Sequence, residues 1–132
     1  QIKEDFMTAS TYIPNLPLDA RVELWVLDLC DALEANYERQ YPDSHNDKRF
    51  EAVGGRKYWK IITKDIGADG KEWSGGVHAF VDKKTGEVYK PASWKAPAKH
   101  VRYDLRIINQ REECLARADW AGGYLYIRWT ST

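Results

Sequence analysis

Histidines, paired carboxylates and activated hydroxyls supply most of the acid–base, metal and nucleophilic chemistry of proteins. In this chain they do not fall into working patterns. His45 stands in a polar stretch, His78 in a strand-like run and His100 after a lysine, with no His-x-x-x-His, no His-Glu pair and no Cys beside any of them. His78 therefore reads as a strand histidine with a satisfied hydrogen bond. Ser74 and Ser93 lack the Gly-x-Ser-x-Gly elbow that exposes a nucleophile. Asp65/Asp69 and Glu112/Glu113 read as solvated acids, and Asp65 to Gly70 lacks the alternating oxygen ligands and closing Glu of a calcium loop. The pairs Gly54-Gly55, Gly75-Gly76 and Gly122-Gly123 lack the spacing of a phosphate-binding loop and read as turns and helix stops. No catalytic residue, metal ligand or cofactor is assigned, and the chain reads as a non-enzymatic protein.

What stands out is the interleaving of aromatic rings with cations, in a chain that holds six Trp and eight Tyr. Tyr58, Trp59, Trp73, Tyr89, Trp94 and Tyr103 are set among Lys57, Lys60, Lys90, Lys95, Lys99, Arg102 and Arg106. Stacking surfaces combined with cations are what single-stranded nucleic-acid sites use. The densest stretch runs from Tyr89 to Arg106, where the basic residues outweigh Asp104 to give a net charge of +4. Lys90, Trp94, Lys95, Lys99 and Arg102 are the residues this reading assigns to binding. Tryptophans also fill the cores of small domains, and lysines also keep surfaces wet. Aromatic-rich surface suits protein–protein interfaces equally well. Two partner classes therefore stay open: single-stranded nucleic acid, or a protein docked on the Trp94 loop, a second copy of the chain included.

The elements that must position these residues follow from hydrophobic period. Val22, Trp25, Val26, Leu29, Leu33 and Tyr37 recur at three- and four-residue steps with acids and Arg21 outside them, which predicts an amphipathic helix over about 18–41. Pro17 suits its first turn, Asp19 its positive dipole end, and Pro42 stops it. Leu24 and Leu27 widen the stripe. Residues 42–56 read as a loop. Lys57 to Lys64 alternates as a strand, and 65–76 reads as a glycine-rich connection. Val77 to Asp82 follows as a strand, with Val77, Ala79 and Val81 on one face and His78 and Phe80 on the other. Lys83 to Gly86 is a hairpin turn with Gly86 at a positive-φ position, returning the chain through Glu87 to Lys90.

Pro91 and Pro97 interrupt regular structure. Val101 to Arg106 alternates as another strand. Asn109 with Glu112 forms a capping-box-like start to a helix through Cys114, Leu115 and Ala118, and Tyr124 to Trp129 reads as a closing strand. A short strand is also expected near Thr11–Ile13. The predicted fold is α+β: an antiparallel sheet of about four to five strands, one long N-terminal helix and one shorter C-terminal helix, in a single domain over residues 1–132.

Bulk properties narrow the class. The 132 residues are 43% hydrophobic and 30% charged, a globular mix, and at this length folding removes roughly 65–70% of the unfolded surface. Twenty cations balance twenty acids, so no global field recruits nucleic acid. The balance is uneven, however, with −5 over residues 1–50 and +5 over 51–132. Such polarity suits either a basic working face beside an acidic helix or two segments that attract each other within one fold. Cys30 and Cys114 match no metal or redox spacing and read as buried free thiols in a reducing compartment. There is no membrane-length apolar run and no signal-peptide centre, so no membrane partner is expected. The start at Gln1 reads as the loss of a leader, tag or unordered stretch.

The segment FVDKKTGEVYKPASWKAPAKHVR, Phe80 to Arg102, resembles small uncharacterised proteins of tailed bacteriophages. In these a Val-Asp-x-x-Thr-Gly-x-Val-Tyr-Lys hairpin leads into Lys-Pro-Ala-Ser-Trp-Lys-Ala-Pro-Ala-Lys. Lys90, Pro91, Ala92, Trp94, Lys95, Pro97, Ala98 and Lys99 carry the match, and the likeness extends back to Tyr58. It implies a phage origin, action in the host cytoplasm or the virion, and a phage or host protein among the candidate partners. It implies no mechanism, and the helices at 18–41 and around Cys114 lie outside it.

Overall fold

The computed structural model describes residues 16–126. Helix α1 (Leu18–Gln40) is followed by strands β1 (Asp47–Gly54), β2 (Tyr58–Ile66), β3 (Glu72–Asp82), β4 (Glu87–Tyr89) and β5 (Tyr103–Asp104), then helix α2 (Ile108–Arg117) and a 3₁₀ turn (Gly123–Leu125). The strands form one five-stranded antiparallel meander in the order β1-β2-β3-β4-β5. This is the α+β fold that the period predicts. No helix among the described residues is long and apolar enough to cross a membrane.

α1 forms because Val22, Val26, Leu29 and Leu33 repeat at near-helical spacing, and all four lose their whole surface to the interior. They meet Phe50, Ile61, Ala79, Val81 and Val88 from one face of the sheet, with Tyr103, Leu105, Cys114 and Leu125 closing the end of the core. Leu27, expected to widen the stripe, is instead exposed and Leu24 half-buried, because the sheet receives an arc of the helix narrower than the full run of leucines. Cys30 and Cys114 are free and buried, and burial pushes both thiols up to about 12.

Several expected boundaries shift. The stretch read as a loop over 42–56 contains β1, a charged edge strand in which Phe50 alone is fully buried. Its outward edge is blunted where the Phe50 N–H donates to the Glu34 carboxylate of α1 at 2.9 Å. The 65–76 connection shrinks to a tight turn in which Gly67 N–H donates to Lys71 O and Gly70 N–H to Gly67 O. The strand expected over Val101–Arg106 pairs only at Tyr103–Asp104. α2 starts without a side-chain cap at Ile107. Gln110 Oε1 instead accepts the Asp104 N–H at 2.8 Å and Arg111 donates to Leu105 O at 2.7 Å, so the tether to β5 replaces the capping box.

The closing strand is also replaced. Gly122 takes φ +88°, the Asp119 carboxylate gathers the N–H groups of Ala121, Gly123 and Tyr124, and residues Gly123–Leu125 close into a 3₁₀ turn with Tyr124 and Leu125 both buried. Ile127 to Trp129 and the strand expected near Thr11–Ile13 lie outside the described residues.

β3 departs from simple alternation at its centre. Ile61 pairs with Ala79 while the next residue, Ile62, pairs with Val77, so His78 is the extra residue of a β-bulge. The bulge turns His78 to the core side beside Ala79 and moves Val77 to the side of Ile62, which reverses the expected facing of both residues. Phe80 keeps its expected place across from the core.

Two substitutions test this architecture. Gly86 takes φ +76°, and a Cβ there would stand 3.4 Å from Leu105 Cβ and Val22 Cγ2. Gly86→Val is expected to lower stability by about 1 kcal/mol or more. Leu29→Ala should cost about 2–5 kcal/mol. Both are read as shifts in urea midpoint, and an unchanged midpoint contradicts the turn or the helix docking respectively.

Candidate functional site

The meander leaves α1 on one face of the sheet, so the aromatic residues on the other face need separate cover. Phe80 pairs with Tyr89 across β3 and β4 and is 2% exposed although it stands outside the main core. Tyr58 approaches both rings edge-on, with centroids at 5.7 Å from Phe80 and 6.1 Å from Tyr89. Tyr89 donates its hydroxyl to Glu87 at 3.2 Å, and burial followed by Glu87 pushes its pKa up to about 12, so it remains a neutral phenol.

The proline-bracketed loop reaches the same face through Trp94 and Lys95. Pro91 and Pro97 form an isolated bridge, the Ala92 and Ser93 N–H groups donate to Ala96 O, and Ala98 N–H donates to Lys90 O at 2.7 Å. This compact loop presents Trp94, 48% exposed, against Lys60, whose ammonium lies 4.7 Å from the indole centroid and 5.8 Å from that of Phe80. A groove of about 270 Å³ opens beside them, lined by Arg56, Lys57, Lys60 and Lys95 together with Tyr58 and Phe80, and among the described residues no carboxylate lines it. None of these four cations forms an ion pair among the described residues.

Of the residues assigned from sequence, Trp94 and Lys95 come to this face. Lys90 points elsewhere, its ammonium 4.3 Å from the Tyr126 ring centroid. Lys99 is exposed and Arg102 half-buried, and neither lines the groove. Lys57 and Lys60 belong to the interleaved set already visible in the sequence. Arg56 does not, and its place follows only once β1 is recognised, because Arg56 and Lys57 then form the turn between two paired strands.

A match to a family model spans residues 5–127. The chain belongs to the family of unknown function DUF7717. No curated protein and no solved structure matches it. The matched span of this DUF7717 member takes in both helices, the whole sheet and the groove.

A second polar group sits in the core. His78 Nε2 and the Tyr124 hydroxyl are 2.8 Å apart with their rings stacked, Phe50 meets the imidazole edge-on, and Tyr103 donates to Tyr124 O at 3.1 Å. Burial lowers the His78 pKa to about 4 against a weaker opposing pull from Asp119. The imidazole is therefore neutral and hydrogen-bonded, as the strand-histidine reading expects. Among the described residues no cluster of His, Cys, Asp and Glu could hold a metal ion.

His78 sets a pH dependence. The unfolded chain takes up this proton near the ordinary 6.5 and the folded chain only near 4, so the stability that neutral His78 preserves is complete above about pH 6.5 and falls as pH drops towards 4. The loss amounts to about 3 kcal/mol over that window. His78→Phe combined with Tyr124→Phe should flatten this part of the urea-midpoint profile relative to the parent. Equal slopes in both proteins would contradict the assignment.

Proposed function

We propose that the chain is a non-enzymatic, nucleic-acid-associated accessory protein that lays a single strand along the far face of its sheet. The observation that carries the reading is the groove in which Arg56, Lys57, Lys60 and Lys95 line the walls with Tyr58 and Phe80 and no carboxylate joins them among the described residues, with the exposed indole of Trp94 beside Lys60. Cations spaced along a shallow track meet phosphates, and an exposed ring stacks a base whatever its identity. The loop that supplies Trp94 and Lys95 is also the segment with the phage-like likeness, which supports a phage protein acting in the host cytoplasm or the virion.

One observation favours a second reading. Val53, 42% exposed, lies beside the same groove and gives this face an apolar element that a protein partner or a second copy of the chain would cover. Salt separates the two, because phosphate contacts release counterions and apolar docking does not.

Titration of the protein with a fluorescent single strand at low salt should show binding at micromolar protein or below. Contacts from the groove's cations predict a log–log salt slope of about −3. Trp94→Ala should weaken binding by about 1–3 kcal/mol irrespective of base sequence. Absence of binding at low salt, joined to loss of self-association or partner capture in the same variant, would replace this reading with the docking one.

A further inference from the structure

A larger concavity lies at the same end of the sheet. In a meander the β1–β2 and β3–β4 turns share one end, and here they enclose with the first two turns of α1 a cleft of about 700 Å³. Arg56 and Lys57 line both cleft and groove, so the two meet across the β1–β2 turn. Inside the cleft Trp59 presents a half-buried indole with the Lys83 ammonium 4.7 Å from its ring centroid, and Lys84 stands on the same turn. Arg56, Lys57, Lys83 and Lys84 form no ion pair among the described residues.

The remaining wall has the opposite sign. Asp19 and Glu23 face the cleft from α1, Asp19 accepting the Ala20 N–H at 2.9 Å through Oδ1, and the third carboxylate, Asp82, accepts the N–H groups of Lys84 and Thr85 at 2.8 and 3.0 Å. A phosphodiester chain leaving the groove over Arg56 and Lys57 meets further cations, but it cannot continue past Asp19 and Glu23 without like-charge repulsion. A strand that ends in the cleft escapes this conflict. Its last base lies against Trp59, the one phosphate flanking it meets Lys83, Lys84 and Arg56, and its free sugar hydroxyl donates to a carboxylate of the acidic wall.

We propose that the cleft receives the unphosphorylated terminal nucleotide of a single strand whose body occupies the groove, so that the protein recognises strand ends. The inference rests on the groove being a strand-binding face. A 3′ and a 5′ terminus offer the same hydroxyl chemistry, and the experiment separates them.

The test compares short single strands of one sequence, labelled internally, in four forms: linear with both ends free, circular, 3′-phosphorylated and 5′-phosphorylated. Anisotropy titration should give the free linear form at least about fivefold tighter binding than the circle, since one stacking contact is worth roughly five- to a hundredfold. A phosphate on one end and not on the other should remove most of that advantage, which identifies the terminus. Asp19→Asn with Glu23→Gln should abolish the phosphate's penalty. Lys83→Met should bring the linear form down towards the circle and leave the circle's affinity unchanged. Equal affinity for linear and circular strands overturns end recognition and leaves the groove reading standing, whereas no binding of either form overturns both.

Discussion

The interior of this protein depends on the seating of α1 on one face of a five-stranded meander. Val22, Val26, Leu29 and Leu33 are wholly buried there, and the sheet side answers with Ile61, Ala79, Val81 and Val88. Among the described residues a single helical layer leaves the second face of the sheet without an equivalent partner. That face nevertheless carries Phe80, a side chain large enough to demand cover. Tyr58, Tyr89 and the Lys60 ammonium gather around Phe80, and the proline-bracketed loop after β4, smaller than a helix, stands beside them with Trp94 and a groove open to solvent. The candidate site is in this sense a consequence of the fold's asymmetry.

The bulge at His78 solves a related problem inside the core. Regular alternation would have sent His78 to the far face and Val77 inward. The extra residue opposite Ile61 and Ile62 instead delivers an imidazole to the Tyr124 hydroxyl. A buried imidazole without a partner would be costly, whereas one paired at 2.8 Å and held neutral fixes the place of the 3₁₀ turn that ends the described chain. Asp119 completes that turn from the other side by collecting three backbone N–H groups. Trp120 is tied back to α1, its backbone N–H donating to Asn36 and its indole N–H to Gln40.

These devices explain what the sequence made legible. The long helix, the β3–β4 hairpin with positive φ at Gly86 and the α+β class follow from period and turn chemistry, which are local properties of the chain. β1 was hidden because an edge strand exposed on one side and charged along its length shows a single buried residue, Phe50, and one residue carries no period. The bulge was hidden because an inserted residue is defined by its partner strand. The closing strand failed for a tertiary reason, since Asp119 and Gly122 curl a segment whose composition alone suits a strand. Within the site, Trp94 and Lys95 were legible from the run of rings and cations. Their neighbours Arg56 and Lys60 come from 35 or so residues earlier and required the meander. Lys90, Lys99 and Arg102, close to Trp94 in sequence, diverge from the groove because the Pro91–Pro97 bridge folds the loop back on itself.

Charge pairing gives a physical way to separate a solvated surface from a site. Towards the β2–β3 turn, cations are matched on the sheet: Lys48 pairs with Asp65, and Lys64 meets Glu51 at 2.8 Å and Glu72 at 3.8 Å. At the opposite end, Arg56, Lys57, Lys83 and Lys84 gather on adjacent turns with no such match among the described residues. Exposed ion pairs contribute little to stability, so the contrast between the two ends is not a difference in how strongly each is held together. It is a difference in arrangement: at one end the cations are paired, while at the other Arg56, Lys57, Lys83 and Lys84 stand without ion pairs among the described residues beside indole and phenol rings, with Asp19, Glu23 and Asp82 lining the same cleft. A chain of zero net charge can attract an anionic partner through such a group of cations without being drawn to polyanions along its whole surface. Asp19 and Glu23, on the first two turns of α1 beside the same cleft, would limit how far such a partner could extend.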